Sequence, residues 1–199
     1  MENFENIEQE INQSIKGIVN KKNSGKKRVN SIKKGHAFER DIAKKLTELL
    51  GFKIVRVPMS GGFSTMNDSN VFPGDLMAAS DKDIFKFEIE CKHYNKNNII
   101  MEILNKKLKE IKIFKWIKQS SRDALKRNVV PLIIFKINRS IVLTILRTRE
   151  IKEDKNWFLK DKNNILMFKK NNNSFIITPF KNLEVKRFHD YLKGIENGN

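Results

Sequence analysis

Two carboxylates and a lysine stand at a spacing that could do chemistry. Glu90 and Lys92 lie two residues apart in Phe85-Lys86-Phe87-Glu88-Ile89-Glu90-Cys91-Lys92, and Asp75 lies fifteen positions before Glu90 in Pro73-Gly74-Asp75-Leu76. Strand side chains alternate with period 2. That period puts Phe85, Phe87, Ile89 and Cys91 on one face, suited to a core, and Lys86, Glu88, Glu90 and Lys92 on the other. Two carboxylates and a backbone carbonyl can anchor Mg2+, which takes oxygen ligands and keeps several waters. An ammonium beside them can orient an attacking water or neutralise charge developing on a phosphoryl group. The expected chemistry is metal-assisted phosphodiester hydrolysis, with Asp75, Glu90 and the Cys91 carbonyl as ligands and Lys92 as the catalytic cation. An alternating polar strand face produces Glu-x-Lys often, so three further features carry the reading. Asp75 follows a Pro-Gly turn on an adjacent candidate strand, the reverse face of the catalytic strand is apolar, and an upstream helix offers Glu39.

The elements that must position these residues follow from periodicity. Gly35 to Leu50 predicts a helix with the stripe Phe38, Ile42, Leu46, Leu49 and Leu50, closed by Gly51. Glu39 then falls in its first turn, where a favourable helix-dipole charge is the simpler account. Phe52 to Val57 reads as a strand, and Pro58 to Thr65, with Gly61 and Gly62, as a loop able to approach a phosphate. Phe72 to Ala79 and Ile84 to Lys92 read as strands. Asn98 to Arg127 reads as helix, with a break near Lys112. Val129 to Ile137 is an unbroken apolar run, the pattern of a buried central strand. Ile141 to Leu146 is a further strand, Ile165 to Phe168 with Phe175 to Ile177 a hairpin, and Leu183 to Leu192 a final helix. This order predicts an α/β sandwich with a mixed sheet. It divides the chain into an N-terminal helix and basic linker (1–34), a core (35–147) and a C-terminal extension (148–199).

The charge points to an anionic partner. Forty basic residues face 23 acidic ones, for a net charge of +17 in 199 residues. A bias toward Lys, Asn and Ile would also favour Glu, so bias alone does not produce that imbalance. Nucleic acid is the simplest partner. Ile7, Ile11, Ile15 and Ile18 predict an amphipathic helix over Glu5 to Val19. From Lys16 to Lys34 the chain carries Lys26, Lys27, Arg28, Lys33 and Lys34 among its cations, with no acid between Glu10 and Glu39. This reads either as a strap along DNA phosphates or as a solvated linker. Cys91 is the only cysteine, which excludes an intrachain disulfide and a cysteine-rich zinc site. No apolar run is long enough to span a bilayer, and the acidic start is no secretory signal. The expected setting is the cytoplasm or another intracellular compartment that holds DNA.

Asp75, Glu90 and Lys92 together match the signature of the PD-(D/E)XK nuclease superfamily. The wider pattern resembles its archaeal-type Holliday junction resolvases. It runs through Lys34-Gly35, Glu39-Arg40, Gly51-Phe52, Arg56, Ser60-Gly61, Gly74-Asp75-Leu76, Ile89-Glu90-Cys91-Lys92 and Pro131-Leu132-Ile133, and covers Lys34 to Arg139. The resemblance implies a restriction-endonuclease-like core with a central mixed sheet flanked by helices. It implies a homodimeric Mg2+-dependent endonuclease, with Mn2+ as substitute, acting on branched DNA such as a four-way junction. It also implies catalytic roles for Glu39 and Ser60, and it includes Arg56 among the DNA-facing cations. Gly74 departs from the pattern, which usually has proline before the aspartate. The alternatives are a restriction-like or repair nuclease cutting duplex or damaged DNA, and a non-catalytic DNA-binding protein on the same fold.

Overall fold

Local sequence makes the first helix and closes its C-terminal end. The computed structural model describes residues 31–57, 74–94, 112–137, 140–148, 158–170 and 173–194. The expected helix at 5–19, Lys26, Lys27, Arg28, the Ser60 loop and positions 98–111 lie outside them. Helix α1 (Ser31–Leu50) buries Phe38, Glu39, Ile42, Ala43, Leu46 and Leu50. It starts four residues earlier than expected. One interior glycine, Gly35, costs a helix only about 1 kcal/mol relative to alanine, too little to set its start. Lys33 and Lys34 therefore stand on the helix, not in an extended linker, and Glu39 lies beyond the first turn. Leu49, expected in the core stripe, is 40% exposed. Gly51 ends the helix at φ +79°, its N–H donating to the Thr47 carbonyl at 3.0 Å.

The strands follow as β1 (Ile54–Arg56), β2 (Leu76–Ala78) and β3 (Phe87–Tyr94), then helix α2 (Lys112–Arg127), then β4 (Val130–Ile137) and β5 (Val142–Arg147). The hairpin β6 (Leu166–Lys170) and β7 (Asn173–Pro179), a 3-10 turn (Phe180–Asn182) and helix α3 (Val185–Leu192) complete the described chain. All seven strands form one mixed sheet in the order β1-β2-β3-β4-β5-β7-β6. Among the described residues only β3 and β4 pair in parallel, Glu90 opposite Ile133 and Lys92 opposite Phe135, and α2 lies in the crossover between them. The C-terminal hairpin continues this sheet through pairing of β7 with β5.

The period-2 pattern sorts the core onto both sides of the sheet. Phe87, Ile89, Cys91, Leu132 and Ile134 join Phe38, Ile42 and Leu46 of α1 in one cluster, which also takes Val185 and Phe188 of α3. Ile133, Phe135 and Ile137 face the other way and pack with Ile113 and Ile117 of α2. Both β3 and β4 are thus covered on both sides, as a parallel pair must be. Trp116 lies against Tyr94 and Phe135.

Candidate active site

Asp75 is set by a glycine. Gly74 has φ +89°, a conformation closed to the proline usual at that place. A Cβ there would stand 3.0 Å from the Ile89 carbonyl oxygen and 3.1 Å from Glu88 Oε1. The close approach docks the turn on β3. Asp75 N–H donates to the Ile89 carbonyl at 2.7 Å, and Cys91 N–H donates to Asp75 Oδ2 at 2.7 Å. These two bonds bracket Glu90 on the strand. Asp75 itself directly precedes the three-residue β2, shorter than the expected strand, and its carbonyl accepts from Val57 N–H at 2.9 Å.

Glu90 is 3% exposed and forms an ion pair with Lys92. Gln119 of α2 reaches Glu90 Oε2 through Nε2 at 3.5 Å. Burial first, and then the charge of Asp75, raise the Glu90 carboxyl to about 7, although Lys92 opposes this. Burial alone would lower the Lys92 ammonium. The charge and hydrogen bond of Glu90 outweigh it, and Lys92 ends above its ordinary value. Two carboxylates held side by side at such cost make a site that a cation would relieve.

Glu88, on the same strand face as Glu90, is buried more completely than either. It has no exposed surface and accepts a hydrogen bond from Ser120 of α2, also fully buried. Its Oε1 is buried with no hydrogen-bond partner among the described residues. Burial raises the Glu88 carboxyl to about 8 against the pull of Ser120, helped by Glu90, Asp123 and Asp75. At neutral pH it is therefore mostly the uncharged acid. Alternation placed Glu88 on the Glu90 face. What it could not supply was the lid, because Ser120 and Asp123 lie about 30 residues away on another element.

Glu39 and Arg56 form an ion pair on the α1 side. Glu39 is close enough to Cys91 that, after burial and Asp75, its charge helps push the thiol up. Cys91 is buried with its side chain in the core, so the thiol is no ligand. Arg56, expected to face phosphates, has its guanidinium on Glu39. His93 packs its ring on Phe38, 5.5 Å between centroids. Among the described residues no group of three or more His, Cys, Asp or Glu side chains could hold a metal ion. The donor set present is the Asp75 and Glu90 pair. Hard oxygen donors of this kind suit Mg2+, which binds through one or two carboxylates and fills its shell with water and substrate oxygens.

Residues 30–193 match the protein family described as "Phage putative PDDEXK endonuclease". Over 112 residues the chain is 33% identical to Protein D14 of Escherichia phage T5, a span of 56% of this chain and 67% of that protein. A solved structure of Hjc, a Holliday junction resolvase of Archaeoglobus fulgidus, aligns with a TM-score of 0.39 and 14% identity over 78% of this chain and 98% of that one.

Proposed function

The chain belongs to the phage PDDEXK endonuclease family, and on that premise we propose that it is a Mg2+-dependent endonuclease cutting branched DNA, four-way junctions foremost. The observation that carries the hydrolytic reading is the bracketing of Glu90 by the two bonds to Asp75, with Lys92 paired beside it. The branched substrate is supported by the resolvase-like run of residues from Lys34 to Arg139, and a nucleic-acid partner by a net charge of +17.

In this mechanism Asp75, Glu90 and the Cys91 carbonyl would hold the cation. When bound, Mg2+ polarises the phosphoryl oxygen and lowers the pKa of a water. Lys92, cationic and paired beside Glu90, would neutralise charge on the phosphoryl group. Gln119 holds the second oxygen of Glu90. Glu39 and Ser60 would assist catalysis, as the resolvase resemblance implies. Lys26, Lys27, Arg28, Lys33, Lys34 and Arg56 engage phosphates, which fix position without reading sequence. Two copies in a two-fold homodimer would cut opposed strands of a symmetric junction.

The test offers labelled four-way junction, linear duplex, flap and single strand to the purified protein with Mg2+, with Mn2+ or with chelator. Paired symmetric nicks confined to the junction, and lost with chelator, are expected. Cutting of linear duplex at equal rate would move the substrate to duplex DNA. Cleavage in chelator, or junction binding without cleavage, would sink the metal-dependent reading.

A further inference from the structure

On the sheet face opposite the Glu90 side chain, a cleft of about 580 Å³ lies between α1, the β4–β5 turn and the segment after β7. Its rim carries Lys45, Lys136, Lys160 and Lys181 against a single carboxylate, Glu48. Lys45 is paired with Asp41 at 2.9 Å, and Lys160 stands 3.9 Å from Glu184. Lys136 and Lys181 have no ion-pair partner among the described residues. The wall between these cations is apolar, with Pro179, Phe180 and Leu183, and two of its aliphatic side chains are open to solvent: Leu49 at 40% and Ile141 at 55%. The catalytic chemistry uses neither feature. Lys136 neighbours Phe135 on β4, but alternation turns it away from the α2 side that holds Glu90 and Lys92.

We infer that this cleft is a docking site for an acidic peptide segment of a partner protein that carries an apolar anchor side chain. Charge complementarity selects an anion, and the exposed Leu49 and Ile141 select among anions. A phosphodiester strand bound along lysines needs no aliphatic floor. A peptide whose carboxylates meet Lys136 and Lys181 while one large side chain covers Leu49 and Ile141 uses both. The volume lies within the range of clefts that enclose a small ligand or a few side chains.

The experiment measures fluorescence anisotropy of a labelled peptide of four aspartates followed by leucine and phenylalanine, titrated with the full chain. The comparison proteins are Lys136→Glu with Lys181→Glu, and Leu49→Ser, each checked for an unchanged melting profile. Saturable binding is expected, weakened at least about tenfold by the lysine pair and several-fold by Leu49→Ser. An oligo-aspartate lacking the two apolar residues should bind at least about fivefold more weakly. The inference is overturned if the peptide fails to bind, if neither variant weakens it, or if the oligo-aspartate binds equally well. It is also overturned if a 5′-phosphorylated oligonucleotide, and not the peptide, shows the dependence on Lys136, Lys181 and Leu49. None of these residues lies in the proposed catalytic set, so the result is independent of whether the chain cuts DNA.

Discussion

The two faces of β3 are buried to the same degree and do opposite things. Toward α1 the strand puts Phe87 and Ile89 at 0% exposure, and toward α2 it puts Glu88 at 0% and Glu90 at 3%. Burial on the first face stabilises the fold by about 1.5–3 kcal/mol for each large apolar side chain. On the second face the same burial opposes ionisation, which is why Glu88 and Glu90 rise to about 8 and about 7. The lesson is that low exposure does not separate core from site. What separates them is whether the buried atoms are satisfied by packing or are left needing a cation or a proton. The apolar face anchors the strand so that the polar face can hold carboxylates in an arrangement that is unfavourable when empty of charge balance.

Substitutions on the two faces should therefore fail in different ways. Asp75→Ala or Glu90→Gln should reduce junction cleavage by at least about a thousandfold, while gel-shift affinity in chelator stays within a few-fold. Either variant cutting normally would remove β3 as the catalytic strand. Phe87→Ala should cost about 3–5 kcal/mol in urea unfolding through the cavity it leaves. A loss below 1 kcal/mol would show that the apolar face is not the anchor.

The acid at Glu88 gives a pH signature with a definite sign. Unfolded, its carboxyl titrates near 4.5; folded, near 8. Between these values the folded chain holds a proton that the unfolded chain has released. Stability of the metal-free protein should thus be greatest at the acid side of this window and fall as pH rises from about 5 to about 8, by on the order of a few kcal/mol, then level off. Glu88→Gln, neutral at every pH and still able to accept from Ser120, should flatten much of that slope in thermal melts. An unchanged slope would place the charge of Glu88 elsewhere. The smallest expected effect is at Gly74. Gly74→Ala should destabilise by about 1–3 kcal/mol, from the left-handed backbone and the contact with Ile89. It should lower cleavage by more than its stability loss explains, because the turn carries Asp75. Equal cleavage by this variant would mean that the Asp75 position tolerates a shifted turn.

Much of this was readable beforehand, for reasons that differ by residue. Val130–Ile137 was legible as a central strand because a strand covered on both sides must be apolar throughout. Glu90 and Lys92 were legible as neighbours because alternation puts both on one face of β3, whereas Asp75 joins them through the docking of the Gly74 turn on β3. The start of α1 was not, because a single glycine is a weak stop and the helix runs through Gly35. Leu49 looked like stripe and faces outward, since Leu46 and Leu50 already fill the inward positions four residues apart.

The sequence by itself determined the alternation of β3, the type and spacing of its charged side chains, the buried central strand and the basic balance of the chain. These depend only on local geometry and composition. Only the tertiary structure decided that the polar face of β3 lies under α2. That placement makes Glu88 a buried acid held by Ser120 and sets Gln119 on Glu90. On the α1 side the fold turns Arg56 onto Glu39 and leaves a lysine-rimmed cleft beside Leu49. Each of these rests on contacts between residues far apart in the chain. Their energies come from desolvation and from partners that no local pattern specifies.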